Sequence, residues 1–257
     1  MEVAVKVLRR SMLDMDMNVV VEFEREISFM QRTRHSNLVR FFGAGRQEDD
    51  TPFLVEELMA SGTLKDLLRG GNMRQLDWDA KTALATDVAR GMAYMHGLGH
   101  IHRDLKSSNV LITEKMQAKV ADFGSVGRLL TGQRSFSHDS IGSNLGLDQV
   151  VGTPLYMSLE MVNQAGYDAS TDVWSFGVLM WEIAAQATPD LLEQEGITRG
   201  PVSSGLLRLL DEGRRLAIKA EWPDAWGVAH GAVLAAGARQ PPHVPVTPKY
   251  AEGGGEC

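Results

Sequence analysis

The stretch His100–Ile112, HIHRDLKSSNVLI, sets a dense polar cluster between apolar flanks. Ile101 stands before it and Val110, Leu111 and Ile112 follow it, while His102, Arg103, Asp104, Lys106 and Asn109 crowd the middle. Burying a polar group without a partner costs roughly 2–7 kcal/mol. A chain that lodges five of them against apolar neighbours therefore needs something to satisfy them.

Eighteen positions after Asp104 comes Asp122, in KVADFG, where KVADF reads as a short strand. Asp104, Asn109 and Asp122 supply carboxylate and amide oxygens, with no histidine–cysteine cluster nearby. That donor set suits a hard cation such as magnesium, bound partly through substrate phosphates. Near the start, EVAVKVL alternates Val3, Val5 and Val7 with Ala4, Lys6 and Leu8, the pattern of a strand. Both of its faces are mainly apolar, so it is expected inside a sheet, with Lys6 on the face of Ala4 and Leu8. A lysine there can meet phosphate oxygens as a point charge. In VVVEFEREISFMQRTRH, Phe23, Ile27 and Met30 fall at helical spacing, and Glu26 on the neighbouring stripe is a carboxylate able to hold that lysine. These are the parts of a phosphoryl-transfer site, where catalysis is mostly positioning and charge neutralisation.

The rest of the chain frames these parts. NLVRFFGAG and PFLVEEL read as two further strands joined by the polar turn RQEDDT. ASGTLKDLL predicts a short helix capped by Ser61 or Thr63. From Asp79 to about His96, Leu84, Val88, Met92 and Met95 share one face of a long helix, and STDVWSFGVLMWEIA predicts a strongly apolar one. The Ser/Gly-rich segment from Gly124 to about Gly152 is longer than most connections and is expected to be functional or mobile. The Pro- and Gly-rich residues 241–257 are expected to form a disordered tail.

Composition narrows the function classes. The 257 residues are 44% hydrophobic and 23% charged, which suits one large domain or two lobes. With 26 basic against 33 acidic residues the net charge is -7, which gives no case for a nucleic-acid or membrane-surface partner. The single cysteine, Cys257, excludes an internal disulfide framework and fits a reducing compartment. No apolar run reaches the roughly 20 residues of a spanning helix, and the N-terminus lacks a secretory layout. An intracellular, cytoplasmic location is expected.

The motifs, in order, resemble those of a eukaryotic protein kinase of the serine/threonine type, most closely its tyrosine-kinase-like branch. VAVK is similar to the strand of the phosphate-binding lysine, and FEREISFMQRTRHSNLV to the helix whose glutamate partners it. FLVEELMASGTL resembles the hinge that presents backbone groups to adenine, HRDLKSSN the catalytic loop and DFG the metal-binding motif. GTPLYMSLE resembles the end of the activation segment, and DASTDVWSFGVLMWE the large helix of the C-terminal lobe.

This resemblance implies an α+β, two-lobed kinase fold with an N-lobe of about 1–57, antiparallel but truncated, and a helical C-lobe of about 62–240. It implies ATP and Mg2+ as cofactors and protein serine or threonine as acceptor. Asp104 and Lys106 become catalytic, Asn109 and Asp122 hold metal, and Ala4, Lys6, Glu26, Glu57, Met59 and Leu111 bind nucleotide. Asp172 braces the catalytic loop, His102 packs on Phe123, and Arg103 meets a phosphorylated residue of the activation segment, which brings in an upstream kinase. Thr131, Ser135, Ser137, Ser140 and Ser143 are candidate sites for that phosphate.

Four departures accompany the resemblance. No glycine-rich loop precedes Lys6, which leaves a longer parent protein, a pseudokinase scaffold or an incomplete fragment as alternatives. Ser158-Leu159-Glu160 replaces the usual Ala-Pro-Glu, with Arg239 as candidate partner of the glutamate. Glu56 occupies a position that gates the rear of the adenine pocket, where it either narrows the pocket or binds a polar neighbour. An insertion is expected around SMLDMDMN.

Overall fold

The computed structural model describes residues 2–8, 17–70, 75–128, 154–162, 168–197 and 202–237. The candidate phosphorylation sites from Thr131 to Ser143, Arg239, Cys257, residues 11–16 of the expected insertion and the tail from 241 lie outside the described residues.

Three strands, β1 (Val3–Val7), β2 (Phe41–Arg46) and β3 (Pro52–Glu57), make an antiparallel sheet in the order β1-β3-β2. Lys6 lies opposite Leu54 and Ala4 opposite Glu56. Opposed residues share a face and successive ones alternate, so these four side chains project to the same side. Helix α1 (Met17–Arg32) covers that side, where Phe23 packs with Leu8 and Leu54 in a small apolar cluster. Among the described residues β1 is an edge strand, and Val5 is 53% exposed on the sheet's other face. Alternating β-branched residues report a pleated backbone; they do not count its neighbours.

A helical body follows. Thr63 caps α2 (Leu64–Arg69) in a reciprocal box with Asp66. In α3 (Trp78–Gly97) the four residues expected on one face are all buried, and Asp77 supplies the N-cap. Next come β4 (His100–Ile101), a 3-10 turn (Ser107–Asn109), β5 (Val110–Ile112), β6 (Ala118–Val120) and β7 (Gly127–Arg128). The hairpins β5–β6 and β4–β7 are both antiparallel. The remaining helices are α4 (Leu159–Val162), α5 (Ala169–Ala185), α6 (Leu191–Gln194), α7 (Val202–Asp211) and α8 (Asp224–Gly237). Helix α5 is apolar almost all round and buried accordingly. Helix α8 lies so close to it that a Cβ on Gly237 would sit 2.5 Å from the Trp174 backbone nitrogen.

Sheet and body are stitched by backbone. The Val39 amide donates to Val120 and the Val120 amide to Asn37, both at 2.9 Å. The Ile112 amide donates to Gly62 at 2.9 Å. A side-chain tie runs alongside, Lys119 to Glu57 at 2.6 Å. The architecture is α+β: a small antiparallel sheet with one helix, joined to a larger helical part.

Candidate active site

Two charged clusters meet where the sheet faces the body. In the first, Lys6 from β1 donates to both Glu26 oxygens, at 3.0 and 2.8 Å, and to Asp122 Oδ1 at 3.2 Å. The elements dictate this meeting. Register puts Lys6 on the face α1 covers, and Glu26 follows Phe23 by three residues, almost one turn. Asp122 lies just beyond β6, with its backbone in the left-handed region at φ 61°. Glu26 is nearly inaccessible, whereas the Lys6 side chain remains 44% exposed. Burial works against the Lys6 ammonium, but Asp122 and Glu26 outweigh it and raise its pKa above the ordinary lysine value. Burial would likewise raise Asp122; the Lys6 charge prevails and holds it below the ordinary aspartate value.

In the second cluster, Lys106 Nζ donates to Asp104 Oδ2 at 2.7 Å, and Asn109 Nδ2 donates to the same oxygen at 2.9 Å and to the Asp104 carbonyl at 2.8 Å. The two clusters share a backbone link: the Ala121 amide, one residue before Asp122, donates to the Asn109 carbonyl at 2.9 Å. His102 packs on Phe123 with ring centroids 5.8 Å apart, and its Nε2 lies 3.1 Å from the Ala121 carbonyl. Asp172, from the first turn of α5, accepts from the His102 amide at 2.7 Å and the Arg103 amide at 2.8 Å. Those bonds fix Arg103 in its left-handed conformation, φ 69°. The side-chain donors that could face a cation, Asp122 and Asn109, are oxygen ligands. No group of three or more His, Cys, Asp or Glu able to hold a metal occurs among the described residues. Two protein oxygens fit a magnesium ion that keeps water and substrate phosphates as its other ligands.

Other expected residues are placed less directly. Leu111 bridges to Thr63, beside the turn in which Gly62 donates to the Met59 carbonyl at 3.2 Å. Ala4 stands opposite Glu56. The Glu57 carboxylate points to Lys119 and to the Arg40 amide, 2.8 Å away, and its own amide donates to the Arg40 carbonyl at 2.9 Å, so its backbone carbonyl is what it can offer a ligand. Glu56 lies on the Lys6 face; burial first, then the Glu26 charge, push its carboxyl up to about 7 against the pull of Lys6.

Sequence reasoning missed a third cluster. Glu182 on α5 is fully buried and is bonded by Tyr156, by Arg69 and by Ser107 Oγ at 2.8 Å. Its signal was a lone acid inside the apolar run SFGVLMWEIA. His96, whose Nε2 lies 2.8 Å from Asp172 Oδ2, was also missed; it carries no local signal.

With this geometry in place, comparison with known proteins is informative. The defining pattern for protein tyrosine and serine/threonine kinases matches residues 1–227. A probable LIM domain-containing serine/threonine-protein kinase of Dictyostelium discoideum is 39% identical over 172 residues, 66% of this chain and 24% of its own length. Serine/threonine-protein kinase CTR1 of Arabidopsis thaliana is 35% identical over 190 residues, 73% of this chain and 22% of its own. The probable serine/threonine-protein kinase drkD of Dictyostelium discoideum is 30% identical over 224 residues, 86% and 16%. The chain belongs to the protein tyrosine and serine/threonine kinase family, and it spans a quarter or less of the length of these relatives. Membership implies ATP as phosphoryl donor and a metal-dependent transfer to protein. Among the described residues no helix is long and apolar enough to cross a membrane.

Proposed function

We propose that this chain transfers the γ-phosphoryl group of ATP to serine or threonine hydroxyls of proteins inside the cell, with residues 1–57 and 62–240 as its two lobes. The observation that carries the proposal is the Lys6 ammonium shared between Glu26 and Asp122 across 116 residues of sequence. Glu26 aims Lys6 at the nucleotide phosphates, with Ala4 and Leu111 flanking adenine and the backbone of Glu57 and Met59 meeting its edge. Asp122 and Asn109 would hold magnesium, which neutralises charge on the phosphates when bound. Asp104, fixed by Lys106 and Asn109, takes the hydroxyl proton as the acceptor oxygen bonds to phosphorus and the bond to the β-phosphate oxygen breaks. Lys106 then faces the transferring phosphoryl group.

Control by an upstream kinase has its own support. Arg25, Arg32, Arg103 and Arg128 line one hollow of about 540 Å3 with His100. Converging guanidinium groups suit a phosphate on the chain.

The test is magnesium-dependent ATP binding and phosphorylation of a generic protein substrate, by this chain and by a longer form if one exists. Asp104→Asn should cut turnover by about 10²–10⁴-fold without weakening ATP binding, and Lys6→Met should weaken both. ATP-independent partner binding without turnover in either form would establish the scaffold reading instead.

A further inference from the structure

Beside the catalytic loop lies a small hollow of about 50 Å3, lined by Lys65, Arg69, Lys106, Ser108, Tyr156 and Thr188 among others. At ~10–15 Å3 per water-sized group it admits roughly three to five such groups, about a carboxylate and its methylene. Three cations border it. Lys106 is matched by Asp104 and Arg69 by Glu182. Lys65 is exposed and makes no ion pair among the described residues. Its neighbour Asp66 is turned away to the Thr63 cap, accepting from the Thr63 hydroxyl at 2.6 Å. The hollow therefore offers a surplus positive charge, on a chain whose net charge is -7.

What such a hollow takes is an acceptor of negative charge and carboxylate size. Its position decides where that group comes from. Lys106 both lines the hollow and holds Asp104, so an occupant lies one or a few residues from a hydroxyl presented to Asp104. We infer that this hollow selects protein substrates bearing an aspartate or glutamate close to the phosphorylated serine or threonine, with Lys65 as the specificity-determining residue. The inference rests on the kinase reading and names a substrate class for it.

The test is fluorescence anisotropy on the whole chain, with dye-labelled peptides of equal length carrying a central serine flanked by glutamate, glutamine or lysine. The glutamate peptide should bind at least about tenfold more tightly than the glutamine one. Lys65→Glu should bring the two within about twofold and improve the lysine peptide. Lys219→Glu, an equal change of net charge at an exposed site elsewhere, should leave the glutamate preference in place. Equal binding of glutamate and glutamine peptides overturns the inference, as does a preference abolished equally by both substitutions or by neither. Phosphorylation of the same peptides separates the two claims. Turnover without acid preference removes the inference and leaves the kinase, whereas acid-selective binding without turnover leaves the docking site and removes the kinase.

Discussion

The clusters around Lys6 and around Glu182 use the same ingredients to opposite ends. Each joins a cation to a buried carboxylate across a long stretch of chain. At Glu182 every bond is internal: Tyr156, Ser107 and Arg69 surround a carboxylate that water does not reach. Burial, and then the Glu182 charge, push the Tyr156 phenol far above its ordinary range, so it stays a donor. At Lys6 only one side is sealed. Glu26 is buried, but the ammonium is half open and its second partner, Asp122, is 49% exposed. A cluster closed around a buried carboxylate fixes the packing of α2, the 3-10 turn and α5. A cluster with one open side is stable enough to persist and free enough to accept a ligand.

The contrast can be broken in order of expected effect. Glu182→Ala leaves Arg69 without its counter-charge and should cost about 3–5 kcal/mol in chemical denaturation. An unchanged midpoint would put the two clusters on an equal footing. Glu26→Gln should do the reverse: phosphorylation falls by about 10²-fold because Lys6 loses its aim, while the denaturation midpoint barely moves.

Glu56 sharpens the comparison through pH. Its folded pKa, about 7, lies above the ordinary 4.5. Below 4.5 the carboxyl is protonated whether the chain is folded or not, and there is no penalty. Between 4.5 and 7 the unfolded chain binds fewer protons, so stability falls as pH rises and levels off above 7. Allowing for the water that still reaches the group, the loss should be about 2 kcal/mol. Glu56→Gln should flatten that slope in denaturation series at pH 5 and pH 8. The smallest effect belongs to the N-cap of α2: Thr63→Ala removes that cap and should cost about 1 kcal/mol in the same assay, with no change in pH response.

Much of this was legible in the sequence because it is written locally. Leu84, Val88, Met92 and Met95 announce a buried helix face by spacing alone, and HRDLKSSN carries its polar side chains within a few residues of one another. The pairing of Lys6 with Glu26 came from matching motif order, and periodicity by itself could not have supplied it. What stayed hidden depends on distant partners. Nothing near Ser107 or Arg69 says that Glu182, 75 and 113 residues away, will bind both. The Val3–Val5–Val7 alternation fixed a strand but not its place in the sheet. Glu57 was expected in a hinge that presents backbone groups to adenine; that its carboxylate pairs with Lys119, 62 residues away, carried no local signal.

The grip of Asp172 on two consecutive amides has a thermodynamic consequence. The loop holding Asp104 is already rigid before any nucleotide or peptide arrives, so that side of the cleft gives up little conformational entropy on complex formation. The ordering cost falls instead on the β1 side, where the Lys6 side chain remains 44% exposed. Calorimetry of nucleotide binding would accordingly report the sheet tightening, and amide exchange at His102 and Arg103 should be slow from the start.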